Sequence, residues 1–404
     1  MARKLRIAMI GQKSIPARFG GIETHVEQLS TRLAGKGHGV WVYCRNRYQP
    51  TPREMTESPG FARDSGGLTY KDVRLAYRPS VNTKHFDAAT HAFLCAAESA
   101  LRWEFDIAHF HGIGPSAFAP VARFGGRAVV TTVHALDWRQ VKWGKWAKRA
   151  ILKGEDTGVR SSDGVIAVSR IIADYVEKRY GVAARYIPNG AGLARPRPPS
   201  AIRKWGLEGN DYILTVGRII PDKGLHYLIE AFSRVRSPLR LVIVGSESPR
   251  TDYSRRLEQS ADGRVIFTGD LYGDVLEEMY SNCRLYVLAS EVEGLPITVC
   301  EAMAFGRCVL LSDIPENAEV GGDAACYFGA GDARSLREAL AGLIERDAEI
   351  AARGEMGRSR VETHFSWDRL VDELESYYHE TLEKRRDPSR SGKRKTLLLP
   401  RRLW

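Results

Sequence analysis

The stretch Ser290-Glu291-Val292-Glu293-Gly294-Leu295-Pro296-Ile297-Thr298-Val299-Cys300-Glu301-Ala302-Met303-Ala304-Phe305-Gly306 holds two glutamates, Glu293 and Glu301, with seven residues between them. Just before it, Arg284-Leu285-Tyr286-Val287-Leu288-Ala289 is an apolar run of strand length. From Pro296 to Phe305 the chain is apolar enough for a buried helix. Proline suits the first turn, where its missing N–H costs nothing, and Gly306 closes the run. Glu293 is therefore expected in a loop between a strand end and a helix N-terminus. In an open α/β sheet that is where ligands bind, and the free N–H groups of the helix end favour an anion. Glu301 falls two turns further on, inside the helix, where a carboxylate needs a partner. A diol would serve either glutamate.

The same strand-then-helix rhythm runs along the chain in both directions. Strands are expected at 6–11, 40–44, 73–77, 107–111, 128–134, 164–169 and 185–188, with helical stretches such as 22–34 and 86–103 between them. Residues 191–200 are rich in Gly and Pro and read as a linker. The rhythm then restarts at 212–217, 239–245, 265–268, 284–289, 309–312 and 325–328. Such alternation predicts an α/β chain with two doubly wound parallel sheets and a ligand between them. A last helical stretch is expected at 366–386.

Composition narrows the classes. At 404 residues the chain is long enough for two domains, and 43% hydrophobic with 27% charged residues is ordinary for a soluble globular protein. No apolar run reaches the roughly 18 residues of a membrane span, and Ile7-Ala8-Met9-Ile10 is too short for a secretory signal core. The six cysteines include no C-x-x-C pair, which reads as buried free thiols in a reducing cytosol and argues against a zinc site. The net charge of +11 attracts nucleic acid, anionic lipid or phosphorylated substrates alike. Much of it sits in a basic tail at 387–404, which fits either an anionic membrane surface or a solvated, disordered end.

Five further features bear on chemistry. Gly20-Gly21, followed by Glu23, joins the first strand to a helix and lets backbone approach a ligand, or is a plain turn. No G-x-G-x-x-G accompanies it, which disfavours a nicotinamide enzyme. Arg218 and Lys223 follow a strand end, where they would neutralise a diphosphate or simply be solvated. His134 ends a strand, with Asp137 behind it, and is placed to hydrogen-bond a sugar hydroxyl or developing charge if it is not structural. The segment 138–149 interleaves three tryptophans with five cations. That mixture suits a membrane interface, an acidic acceptor or single-stranded nucleic acid, or else the tryptophans belong to the core. Ile187-Pro188-Asn189-Gly190 reads as a turn at the domain boundary.

Taken together, from about Leu5 to about Tyr378, these residues resemble the retaining nucleotide-sugar glycosyltransferases of family 4, with the GT-B fold. The most specific element is Glu293 to Glu301 with Gly294, Pro296 and Gly306, supported by Gly217-Arg218-x4-Lys223-Gly224, Ile187-Pro188-Asn189-Gly190 and Ala167-Val168-Ser169. The stretches Ile15-Pro16-Ala17-Arg18-Phe19-Gly20-Gly21-Ile22-Glu23-Thr24 and His134-Ala135-Leu136-Asp137-Trp138-Arg139-x2-Lys142-Trp143 resemble a rhamnosyltransferase-like subgroup of surface polysaccharide assembly. Ala191 and Gly192-Leu193 depart from the family pattern after Asn-Gly, at the hinge.

The resemblance implies an acceptor domain at 1–190, a linker at 191–204, a donor domain at 205–365, the helix 366–386 and the tail. It implies a donor site of Gly20, Gly21, Arg218, Lys223, Glu293, Gly294, Leu295 and Glu301, with His134, Arg218, Lys223 and Glu293 at the reacting centre. Glu293 would hold the donor sugar and Glu301 the ribose. Asp270-Leu271-Tyr272 would meet the base. The expected partners are a nucleotide-diphosphate sugar and a saccharide or lipid-linked saccharide. No cofactor or metal and no nucleic acid are expected. The expected location is cytoplasmic, either free or peripheral on the inner face of the membrane. Two rival classes are a nucleotide-sugar epimerase or phosphorylase of related fold and a non-enzymatic basic nucleic-acid-binding protein. A phosphorylase would need a cofactor lysine that nothing here marks, and nucleic-acid binding leaves Glu301 without a purpose.

Overall fold

A computed structural model describes residues 3–18, 20–57, 60–83, 86–139, 144–247 and 250–387. The first sheet contains β1 (Arg6–Ile10), β2 (Gly39–Arg45), β3 (Phe61–Asp64), β4 (Gly67–Tyr70), β5 (Val73–Arg78), β6 (Ile107–His111), β7 (Ala128–Val133), β8 (Gly164–Ala167) and β9 (Arg185–Tyr186). Their order is β3-β4-β5-β2-β1-β6-β7-β8-β9. All neighbours run parallel except at β3–β4 and β4–β5. The second sheet contains β10 (Tyr212–Val216), β11 (Arg240–Val244), β12 (Val265–Gly269), β13 (Leu285–Leu288), β14 (Val309–Ser312) and β15 (Cys326–Phe328). It is wholly parallel, in the order β12-β11-β10-β13-β14-β15.

Helices cover both faces of each sheet, so the central strands are apolar on both sides and read as runs rather than alternations. Every residue of β7, β8, β13 and β14 is buried. The hairpin β3–β4 is the exception that the sequence does not announce. Its first strand is largely exposed, with no apolar run to mark it.

Two segments join the halves and lie side by side. The Ala191 N–H donates to Phe365 O at 2.8 Å, and the Trp367 N–H donates to Ala191 O at 3.3 Å. Beyond this crossing the helix Trp367–Arg386 lies against the first sheet, not the second. Trp367, Leu370, Val371, Leu374, Tyr377 and Tyr378 form its buried stripe at helical spacing. The Tyr378 hydroxyl bonds His109 Nδ1 on β6 at 2.7 Å, and Tyr377 OH accepts the Val165 N–H on β8 at 3.0 Å. Arg385 pairs with Asp163 at 2.7 Å.

Six large apolar side chains are thus committed to the first domain by the end of the chain, at about 1.5–3 kcal/mol each. Their sum matches or exceeds the net stability of a typical domain, roughly 5–15 kcal/mol. A chain ended before Trp367 should lose the cooperative thermal transition of the first domain, followed by circular dichroism. A truncated chain that melts like the full one would refute this dependence.

Candidate functional site

The second sheet reverses its strand order at β10, with β11 on one side and β13 on the other. The loops leaving β10 and β13 border that switch point, where open α/β sheets bind ligands. In the loop after β10, Pro221–Lys223 makes a single 3-10 turn, followed by Gly224 at φ 62° and the helix Leu225–Ser233. A Cβ on Gly224 would lie 2.0 Å from the Ala289 carbonyl oxygen, so only glycine lets the two loops touch backbone to backbone. The Glu291 N–H donates to Asp222 O at 3.0 Å and ties them together. This contact aims Lys223 at Glu293, and the two form an ion pair in which Glu293 is only 10% exposed. Arg218, at the other end of the same loop, is exposed. Its charge reaches Lys13 of the first domain. Burial lowers the Lys13 ammonium, Glu23 opposes this, and Arg45, Arg218 and Arg47 add to it.

The helix after Glu293 spans Ile297–Ala304, and Pro296 is its N-cap rather than its first helical residue. Glu301 lies on its inner side, with part of its surface still exposed. Its protein partner is Tyr280, whose hydroxyl donates to Oε2 at 2.9 Å. Burial pushes the Glu301 carboxyl up to about 7; the Tyr280 bond opposes that rise and Glu277 adds to it.

The first domain meets this loop directly. A Cβ on Gly294 would sit 1.8 Å from the His134 carbonyl oxygen, at the end of β7. One on Gly21 would come within 3.6 Å of Ile297 Cδ1, so the starts of helices Gly21–Gly35 and Ile297–Ala304 face each other. Gly20 caps the former at φ 147°. The buried Asn189 bridges the halves: its Nδ2 donates to Leu295 O at 2.7 Å and its Oδ1 lies 2.8 Å from His25 Nδ1. Tyr272 also donates its hydroxyl to Arg18 O, and Arg139 reaches Glu316 at 3.5 Å.

Histidines gather where the loop rests. His111 Nδ1 lies 3.3 Å from His134 Nε2, and the His25 and His134 rings are 4.6 Å apart. His111 Nε2 faces Met9 Sδ at 3.3 Å. Burial lowers His25 to about 4, against the bond to Asn189, and holds His109, His111 and His134 well below the usual imidazole range. These rings are neutral at pH 7, so His134 acts as a neutral hydrogen-bonding group.

All nine expected site residues line this junction or the loops beside it. Lys223 meets Glu293, His134 meets Gly294, and Gly21 meets Ile297. Glu301 stands one helix inward with Tyr280, and Arg218 stands toward Lys13. Sequence reasoning missed His25, His111, Tyr280 and the bridging role of Asn189. The signal for His111 was the pair His109-x-His111, two positions on one face of a strand.

Of the tryptophans in 138–149, Trp138 is partly buried and Trp146 is 80% exposed, which removes a core role for Trp146. Residues 140–143, including Lys142 and Trp143, lie outside the described residues, as do Phe19 and the tail from 388 onward. No described helix is long and apolar enough to cross a membrane.

Removing the Asn189 amide strands two buried groups, at about 1–3 kcal/mol each. Asn189→Ala should therefore lower the melting temperature and speed hydrogen exchange in the loop 290–296. Unchanged exchange there would show that Asn189 does not hold the loop.

Residues 19–195 match the sequence model for "Glycosyltransferase Family 4", and residues 210–346 match that for "Glycosyl transferases group 1". Together they cover more than three quarters of the chain. Among curated proteins the chain is 26% identical to a glycogen synthase of Mycobacterium tuberculosis, over 93% of this chain and 94% of that protein. It is 26% identical to O-antigen chain mannosyltransferase C of Escherichia coli, over 94% and 99%. It is also 26% identical to a phosphatidyl-myo-inositol mannosyltransferase of Mycolicibacterium smegmatis, over 93% of each. In fold it resembles a sucrose-phosphate synthase from Thermosynechococcus elongatus, with TM-score 0.77 and 22% identity over 94% of this chain and all of that one. The Anabaena protein HepE, solved with UDP and glucose, superposes with TM-score 0.75 and 16% identity over 93% of this chain and all of that one.

Proposed function

This chain belongs to the family 4 glycosyltransferases of GT-B fold, and from that premise we propose that it moves a sugar, with retention, from a nucleotide-diphosphate sugar to a saccharide or lipid-linked saccharide in polysaccharide or glycolipid assembly. The observation that carries the reading is the Lys223–Glu293 pair, set at the sheet's switch point beside a helix start and against the first domain. The subgroup motifs around Gly20 and His134 favour rhamnosyl transfer within it.

Charge dictates the division of labour. As the bond from the anomeric carbon to phosphate oxygen breaks, the diphosphate gains negative charge and the sugar becomes oxocarbenium-like. Arg218, Lys223 and the N–H groups at Ile297 would meet that charge with fixed donors, the arrangement that lowers such barriers most. The acceptor oxygen bonds the anomeric carbon on the leaving-group face, and its proton passes to a phosphate oxygen. Glu293 would grip sugar hydroxyls, His134 would bond the sugar near the reacting carbon, and Glu301 would take the ribose hydroxyls. Glu293 is not assigned as a covalent nucleophile, because Lys223 already holds its carboxylate. Fixed cations serve in place of a metal, so transfer should persist in a chelator. Closure of the two halves over the donor would keep out water as a competing acceptor. The assay is a sugar-nucleotide panel with extracted lipid-linked acceptors, scored for transfer and for anomeric configuration. Free epimerised nucleotide sugar without acceptor would favour an epimerase instead.

Glu301 makes the donor's affinity depend on pH. Only the ionised carboxylate accepts from both ribose hydroxyls, and its carboxyl stands at about 7. As pH falls through 7 that acceptor is lost, so KM for the donor should rise, approaching tenfold per pH unit at the limit. Glu301→Gln should raise KM at pH 8 and flatten the profile. An unchanged profile in that variant would remove Glu301 from the donor site.

A peripheral place on an anionic membrane fits the outer face of the first domain. Trp146 is 80% exposed at the start of helix Lys145–Ser161, among Lys145, Lys148 and Arg149. Exposed aromatics flanked by cations are the chemistry of an interfacial anchor. Flotation with anionic vesicles, lost in a Trp146→Ala variant, is the expected result.

A further inference from the structure

We propose that His25, His111 and His134 form a binding site for a divalent transition cation of the zinc class, and that occupancy of this site shuts off sugar transfer. One ring nitrogen from each of the three lies within 4.8 Å of the other two. Two of them, His111 Nδ1 and His134 Nε2, are 3.3 Å apart. That separation matches the edge of a tetrahedron, about 3.3 Å, around a metal bonded to imidazole nitrogen at 2.0–2.1 Å, and the wider spacing among the three nitrogens, up to 4.8 Å, closes by side-chain rotation when the ion binds.

The hydrogen bonds around the cluster decide which nitrogens carry lone pairs. Asn189 spends its amide N–H on Leu295 O, so its Oδ1 faces His25 Nδ1 as an acceptor. His25 must then carry its proton on Nδ1, which leaves Nε2 as a bare lone pair. That Nε2 is buried and has no hydrogen-bond partner among the described residues. An unsatisfied buried acceptor is costly, and a cation or a bound donor group relieves it. On His111, Nε2 faces the Met9 thioether, a weak acceptor, which places the ring proton there and a second lone pair on Nδ1. Without a metal, that lone pair accepts from His134 Nε2–H at 3.3 Å; a bound cation replaces this bond by moving the His134 proton to Nδ1 and freeing Nε2. The Met9 sulfur beside His111 adds a soft atom, which suits zinc or copper better than magnesium or calcium.

The three ligands come from three elements of the first domain, helix Gly21–Gly35, β6 and the end of β7. A three-histidine set leaves the fourth tetrahedral position for a water. Metal on His134 Nε2 takes away the hydrogen bond this residue would give the donor sugar. The shut-off half of the proposal therefore rests on the glycosyltransferase reading above; the binding half does not.

The test is a titration of the full, metal-free chain with cobalt(II) and with zinc(II), followed by visible absorption and calorimetry. One cobalt per chain with intense tetrahedral bands, and without the charge-transfer band of a cysteine thiolate, is expected. His25→Gln and His111→Ala should each weaken binding at least 100-fold. Zinc should abolish transfer in the wild type, and chelator should restore it. Pale octahedral bands, or wild-type affinity retained in both variants, would overturn the site. The wild-type spectrum decides this even if a variant does not fold. Stoichiometric binding that leaves transfer intact would overturn the shut-off. Absence of transfer with every donor would instead count against the glycosyltransferase reading, with the cobalt spectrum still deciding the site.

Discussion

Lys223→Ala is expected to lower kcat by about 10²–10³-fold at saturating donor, the cost of removing one fixed donor from a developing oxyanion. The residue is not a free surface lysine. A 3-10 turn and the contact of Gly224 with Ala289 fix where its stem begins, and Glu293 fixes where its ammonium points. Losing it has two consequences, and they can be separated. One would be loss of positive charge opposite a departing diphosphate. The other is a nearly buried Glu293 left without its cation, which is itself destabilising. A double-mutant cycle with Glu293→Gln resolves them. If Lys223 acted only by holding Glu293, Lys223→Ala would be silent once Glu293 is already Gln. If it meets the leaving group, kcat still falls by about 10²-fold in that background.

Gly294→Ala is expected to cost at least 100-fold in kcat/KM, together with a lower melting temperature. The added Cβ would stand 1.8 Å from the His134 carbonyl oxygen, far inside any van der Waals contact. The clash is with backbone, so no rotamer change relieves it. Either the Glu293 loop withdraws or the end of β7 bends. A displacement of about 1 Å at a reacting centre is enough for a 10²-fold loss. Gly263→Ala is the matched control, because a Cβ there meets nothing within 4 Å. Wild-type kinetics in Gly294→Ala would mean that the loop and His134 do not need to touch during turnover.

Much of this architecture could be read before any coordinates, for a physical reason. Strands covered on both faces are apolar runs, and the loops at their carboxyl ends carry the charges; β13 followed by Glu293, and β10 followed by Arg218 and Lys223, stand out on that contrast. What escaped was what has no local signature. The hairpin β3–β4 lies at a sheet edge and exposes most of its first strand, so no hydrophobic period betrays it. The helix Trp367–Arg386 was visible as a helical stretch, but nothing in its sequence says that it returns to the first sheet. The partnership of Tyr280 with Glu301, and the meeting of His25, His111 and His134, join residues up to 109 positions apart in the chain. Asn189 looked like a turn residue, but the chain makes no turn or bend at 187–190, and its side chain instead ties a helix of one domain to the Glu293 loop of the other.

The central claim is that the junction around Lys223, Glu293 and Glu301 is a clamp for a nucleotide-diphosphate sugar. Calorimetric titration of a panel of such sugars, in chelator, into the wild type and into Lys223→Ala and Glu301→Ala tests it most directly. The account predicts that at least one donor binds the wild type at one site per chain, and that each variant weakens it by tenfold or more. Binding of equal strength in all three proteins, or no binding of any donor to the wild type, would contradict it.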